Sequence, residues 1–261
     1  MKEGLSRENL TNHTKIGLYP ETKPGRHLIE GVSPIIACIG SFEDFKRGEN
    51  LSENTPKLSN NFLLDNLKKI DQGQGTYGHK KGEDCITGGP GTFVISAIDD
   101  SNKFSQGFYG CTGLIVTGID EKTGKNISFM THQPPFVPSV LFGNGLKKRF
   151  TEIQERCQSG TIDAVIVGGM YRNDHLGENY IKMIRLLSTK TQQFFGFEPI
   201  IINGPKTKSS QFKKEHRYHD DVYYDNNNRR AYLVRPRVNF STKDFISGRV
   251  DEEKGKWVNN D

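Results

Sequence analysis

Residues 111–132 read CTGLIVTGIDEKTGKNISFMTH. Two runs rich in apolar and β-branched side chains, Cys111–Gly118 and Asn126–His132, stand on either side of the polar block Asp120–Lys125. That pattern predicts two antiparallel strands joined by a turn. Outward from this hairpin, Thr92–Ile98 (TFVISAI) predicts a strand ahead of it. Leu146–Gln158 predicts a helix, because Leu146, Phe150, Ile153 and Cys157 recur every three or four residues and Gly160 follows as a stop. Ile162–Gly169 is a nearly continuous apolar strand that ends in a glycine pair. In Gly177–Phe195, Tyr180, Ile181, Ile184, Leu187 and Thr191 line one helical face before Gly196. Pro199–Asn203 predicts another strand, and Val222–Asp225 with Arg230–Arg235 predicts a hairpin around Asn226-Asn227-Asn228-Arg229. The fold class expected is α+β: a β-sandwich or two-layer sheet with two helices packed on it.

Upstream the signals weaken. Residues 1–33 are polar and turn-rich, Ile35–Ile39 is a short apolar run of ambiguous type, and Asn60–Ile70 has helical spacing. Residues 71–91 are rich in breakers. The expected organisation is an N-terminal extension over 1–91, packed on or beside the core, a core over 92–240, and a tail over 241–261.

Composition narrows the class. The chain has 261 residues, a formal charge of +5 and 33% apolar side chains, with 16 Phe and 9 Tyr to build a core. A collagen, a coiled coil and a helical membrane protein are excluded. A charge of +5 spread along the chain falls short of a nucleic-acid footprint. The N-terminus has no apolar segment of the secretory type, so a cytoplasmic protein, or one exported without such a signal, is expected. Cys38, Cys85, Cys111 and Cys157 are widely spaced, which suggests reduced thiols rather than a disulfide framework or zinc knuckle.

The residue that suggests chemistry is Cys111, in Ser105-Gln106-Gly107-Phe108-Tyr109-Gly110-Cys111-Thr112-Gly113. A cysteine opening a strand after a glycine-containing turn places its sulfur near a cleft, where backbone N–H groups can receive an oxyanion. Gly110, Thr112 and Tyr109 are the residues expected to line that position. His132 closes the partner strand, and antiparallel pairing brings it back toward Cys111. Such a pair can form a thiolate–imidazolium, lowering the thiol pKa and supplying an acid/base. Ser105 is placed to fix the imidazole tautomer as a third member. The competing reading is a core strand with a buried, inert cysteine and a turn histidine before Gln133-Pro134-Pro135.

These residues resemble a family. Gly110-Cys111, a strand, an Asp-containing turn, Met130-Thr131-His132 and a following proline are similar to the nucleophile hairpin of CheD-type protein-glutamine deamidases. Ile162–Met170, the helix Gly177–Phe195, Gly196-Phe197-Glu198-Pro199-Ile200 and Arg230–Arg235 follow the order of that family's later elements. Phe108-Tyr109-Gly110-Cys111 also resembles the Leu-Ser-Gly-Cys motif of the necrotizing-factor and lethal-factor toxin deamidases. The resemblance covers about residues 92–237. Tyr109 stands where the family has Ser, the hydroxyl is Ser105 where Thr is usual, and the Cys-to-His interval of 21 residues is long.

The resemblance implies a cysteine-dependent deamidase of the toxin or effector type. It would hydrolyse a protein glutamine side-chain amide through a thioester, with Cys111 as nucleophile and His132 as acid/base. No metal or organic cofactor is implied, and the partner is the protein bearing the glutamine. No nucleic-acid partner and no membrane span are expected; a monomer is the default, made in a bacterial cytoplasm and either secreted into a host cell without a Sec signal or kept in the cytoplasm. The alternatives are a papain-like protease or transglutaminase, or a non-catalytic binding protein on the same fold.

Other features are read as structural. His216 and His219 are read as a polar loop and not a metal site. Lys206, Lys208, Lys213, Lys214 and Arg217 are read as a solvated basic loop, and Gly88–Gly91 lacks the residues of a phosphate loop. Gly168-Gly169 is read as close backbone packing. Asp163 and Asp174 are candidate orienting carboxylates with a surface role favoured, and Cys38, Cys85 and Cys157 are read as structural.

Overall fold

The computed structural model describes residues 17–19, 28–41, 84–86, 93–108, 110–135, 139–169, 171–172, 175–202, 206–207, 220–235, 248–251 and 256–259. Within these the strands are β1 (Gly17–Tyr19), β2 (Ile36–Ser41), β3 (Asp84–Ile86), β4 (Phe93–Ile95), β5 (Lys103–Phe108), β6 (Thr112–Ile119) and β7 (Asn126–His132). Helix α1 (Val140–Arg156), β8 (Asp163–Gly168), β9 (Tyr171–Arg172) and helix α2 (His175–Phe195) follow. The rest are β10 (Ile200–Ile202), β11 (Lys206–Thr207), β12 (Asp220–Asp225), β13 (Arg230–Arg235), β14 (Gly248–Asp251) and β15 (Lys256–Asn259).

Two mixed sheets carry the fold. One runs β1-β2-β13-β12-β5 and the other β10-β8-β6-β7-β4-β3; β11-β9 and β14-β15 are small separate pairs. The fold is therefore α+β, with two helices among the described residues. The run Ile35–Ile39, ambiguous in sequence, becomes β2, parallel to β13. Residues ahead of position 92 thus contribute strands to both sheets. The expected helix at 60–70 lies outside the described residues.

The six-stranded sheet is covered on both faces, which explains the nearly continuous apolar runs of β6 and β8. Leu114, Val116, Ala164 and Ile166 point toward the helices, packing with Phe142, Leu146, Phe150, Tyr180, Ile184 and Leu187. Their neighbours Ile115, Val165 and Val167 point the other way, against Ala37, Phe108, Val222, Tyr224 and Leu233 of the five-stranded sheet. The molecule is thus layered as sheet, sheet, helices. Burying a side chain of this size stabilises by roughly 1.5–3 kcal/mol, so the doubly covered strands anchor the fold.

Helix α1 begins six residues before the expected Leu146. Gly143-Asn144-Gly145 reads as a breaker, yet Ser139 caps the helix by accepting from the Phe142 N–H at 3.1 Å. Gly145 is buried on the packed face. Cys157 caps the helix one residue past its end, packs in the same core cluster as Phe150 and Ile153, and bridges to Asp120 of the hairpin turn. In α2 every residue of the expected apolar stripe is buried. Gly196 ends it at φ +79°, with its N–H bonded to the Gln192 carbonyl at 2.9 Å. The β6–β7 turn is organised by Asp120, whose Oδ1 accepts from the backbone N–H groups of Lys122 and Thr123.

Candidate functional site

Cys111 and His132 sit at one end of the central hairpin. The β6–β7 ladder pairs Ile115 with Met130, and the register continues to Thr112 opposite Gln133, joined by two N–H···O=C bonds of 2.8 Å. Gly113 therefore faces His132, and Cys111 lies one step beyond the Thr112–Gln133 pair. Side chains alternate along a strand, so Cys111 and His132 share the sheet face of Ile115 and Met130, which looks toward the second sheet. They stand in a diagonal relation within side-chain reach. Both are only partly buried, in contrast to the fully enclosed residues between them.

Ser105 arrives from the other sheet. Its strand, β5, was not among the expected strands, because Lys103–Phe108 mixes polar, aromatic and glycine residues without clear alternation. The Ser105 hydroxyl lies 2.8 Å from His132 Nδ1 and is itself buried. Phe108 lies flat on the same imidazole, with ring centroids 4.1 Å apart and planes 16° apart. The structure thus brings Ser105, Phe108 and His132 together between the two sheets, with Cys111 packed against the same inter-sheet core.

The backbone of Cys111 is tied to a third strand. Its carbonyl accepts from the Gly169 N–H at 2.8 Å, and the Gly169 carbonyl accepts from the Tyr180 hydroxyl of α2 at 3.1 Å. A Cβ at Gly168 would stand 2.0 Å from that hydroxyl oxygen. The glycine pair thus gives the close packing expected of it, directly behind the cysteine.

Burial pushes the His132 imidazole down from 6.5 to about 4. That direction favours the uncharged ring, the form that acts as a base. A ring that donates Nδ1–H to the Ser105 hydroxyl presents Nε2 as the acceptor for the thiol proton. Cys38 and Cys157 are held as thiols: burial chiefly pushes Cys38 up to about 11 and Cys157 up to about 12.

Some expected site residues are placed elsewhere. The Thr112 N–H donates to the Gln133 carbonyl within the ladder, so it is not an oxyanion donor. The peptide groups of Gly110 and Cys111 carry that expectation instead, and Tyr109 lies outside the described residues. Asp163 is 1% exposed and not a surface carboxylate. Its Oδ2 accepts from the Ile35 N–H at 2.7 Å and its Oδ1 from the Ala164 N–H at 2.8 Å. It faces Thr117 on β6, about 17 Å along the strand from Thr112, too far to orient His132. Asp174, His216, His219 and the lysines from 208 to 214 lie outside the described residues. Among the described residues no three acidic, His or Cys side chains cluster as a metal site, and no helix is long and apolar enough to cross a membrane.

Sequence reasoning missed Phe108 and Tyr180 as site-forming residues. Gly107, Gly113 and Gly168 were the available signals: each marks a strand position where backbone geometry or a neighbouring ring leaves no place for an ordinary side chain. No protein-family model matches the chain, and no curated protein matches it.

Proposed function

We propose that the chain is a cysteine-dependent amidohydrolase acting on the side-chain amide of a protein glutamine. The observation that carries the reading is the 2.8 Å contact between the Ser105 hydroxyl and His132 Nδ1, beside Cys111 and between two sheets. A turn histidine needs no oriented hydroxyl from an opposing sheet; a general base does.

The chemistry uses Cys111 as nucleophile and His132 as acid and base. As the Cys111 sulfur attacks the glutamine carboxamide carbon, His132 Nε2 takes the thiol proton and the carbonyl oxygen becomes an oxyanion. Peptide N–H groups at the Gly110-Cys111 turn receive that charge; one such donor is typically worth about 3 kcal/mol. His132 then returns its proton to the departing nitrogen, the C–N bond breaks, and ammonia leaves a thioester. Water, deprotonated by His132, adds to the thioester, and the thiol departs with the proton. Glutamate remains.

Partial exposure of Cys111 and His132 leaves the pair open to a group entering from solvent. The resemblance to the deamidase families supplies the substrate class, and an effector-type role follows from the same resemblance. The reading is tested by incubating the chain with an N-blocked glutaminyl-glycine peptide and with unfolded casein. Ammonia release, lost in Cys111→Ser, is the expected result. New N-termini would establish a protease instead, and incorporation of added methylamine a transglutaminase. No turnover with any of these, combined with slow alkylation of Cys111, would refute an enzymatic role.

A further inference from the structure

We propose that Phe108 is a positioning residue for His132: a bulge in β5 turns its ring onto the imidazole, and Gly113 leaves the seat that the ring occupies. The proposal rests on the Cys–His reading and extends it to residues that touch no substrate.

The bulge is visible in the register. Ser105 pairs with Val222 and Phe108 with Asp220, so β5 takes three steps where β12 takes two. In a regular strand residues three apart face opposite sides, and Ser105 and Phe108 could not reach the same ring. The additional residue removes that parity, and both side chains arrive at His132. Gly107 lies in the bulge at φ +81°, a conformation that favours glycine, and its N–H donates to Asp221 Oδ1 at 3.0 Å. Across the sandwich, a Cβ at Gly113 would lie 2.6 Å from the Thr131 carbonyl oxygen and 3.0 Å from the Phe108 ring.

The two contacts restrain different motions of the imidazole. The Ser105 hydroxyl fixes where Nδ1 points but leaves the ring able to tilt about that line. A ring stacked 16° from parallel removes the tilt and sets the direction in which Nε2 meets the thiol.

The experiment uses the intact chain and no substrate. Iodoacetamide labelling of Cys111 is timed at neutral pH in wild type, His132→Ala, Phe108→Leu and Phe108→Tyr, and the His132 ring protons are recorded by NMR. The wild-type ring protons should be shifted upfield by the Phe108 ring current, with Phe108–His132 cross-relaxation. Phe108→Leu should abolish that shift and slow labelling roughly tenfold, while Phe108→Tyr, which keeps a flat ring, stays close to wild type. Wild-type labelling in a folded Phe108→Leu overturns the proposal. If the leucine variant does not fold, wild-type ring protons at ordinary histidine positions overturn it equally. Slow labelling in His132→Ala with no change in Phe108→Leu sinks only the Phe108 role. Equal labelling of wild type and His132→Ala removes the Cys–His reading itself, and the proposal with it.

Discussion

Ser105 and His132, 27 residues apart and on opposing sheets, meet through the serine hydroxyl and imidazole Nδ1 at 2.8 Å. The contact exists only when both sheets are assembled, so the candidate site is a product of the tertiary fold. Ser105→Ala removes one hydrogen bond and leaves the ring its other restraints. Alkylation of Cys111 should slow about tenfold, the equivalent of about 1.4 kcal/mol, with Ser105→Thr restoring most of the rate. An unaffected rate in Ser105→Ala would take the serine out of the site without touching Cys111.

Cys111→Ser should leave the fold intact, because the side chain is partly exposed and the change is nearly isosteric. Native-state labelling should then lose its fastest site. Cys38 and Cys157 should stay slow in both proteins, since burial holds them as thiols to about 11 and about 12. Peptide mapping after a short iodoacetamide pulse checks this. Rapid labelling of Cys38 or Cys157 would contradict the buried positions given to them.

His132 makes stability depend on pH in a defined window. Its folded pKa, about 4, lies below the ordinary 6.5. Between those values the unfolded chain binds the extra proton, so stability falls as pH drops through the window and levels off below about 4. The full linkage is about 3 kcal/mol, reduced to about 2 because the ring is partly exposed. Urea unfolding of wild type and His132→Gln at neutral pH and near pH 4.5 isolates the term. Wild type should lose about 2 kcal/mol more than the variant over that interval. Parallel losses in the two proteins would show that burial does not depress the imidazole.

Gly107 tests the bulge by backbone alone. A Cβ there meets nothing within 4 Å, so the only burden on Gly107→Ala is φ +81°. A loss of about 1–2 kcal/mol is expected, smaller in Gly107→Asn because asparagine tolerates that region. Denaturant midpoints of the two variants decide; equal stability of alanine and wild type would mean that the bulge relaxes to another conformation.

The parts of the fold that were legible were those where one periodicity dominates. The β6–β7 hairpin announces itself through apolar runs around a polar turn, and α2 through a stripe whose members are all buried. β5 was illegible because its bulge breaks the alternation that would identify a strand. The same break lets Ser105 and Phe108 converge, so the feature that hid the strand also builds the site. Helix α1 extends upstream of Leu146 through Gly143 and Gly145, whose cost is offset by the Ser139 cap and by packing. Asp163 was misplaced because a lone carboxylate beside an apolar run looks solvent-facing. Its partner, the Ile35 N–H, lies 128 residues away.

The same long-range logic connects Tyr180 to Cys111. A Cβ at Gly168 would lie 2.0 Å from the Tyr180 hydroxyl oxygen and 2.7 Å from the ring carbon that bears it. Gly168→Ala must therefore displace the phenol, which also breaks its bond to the Gly169 carbonyl. A loss of about 2–3 kcal/mol is expected. Tyr180→Phe removes the hydroxyl but leaves the Gly169 carbonyl without its donor, costing about 1–2 kcal/mol. The two changes remove the same contact, so the double variant should be less destabilised than the sum, with a coupling of about 1 kcal/mol. Alkylation of Cys111 is the second readout, because Gly169 also donates its N–H to the Cys111 carbonyl. Both single variants should slow it, whereas strict additivity in stability with unchanged alkylation would mean that Tyr180 packs behind the site without holding it.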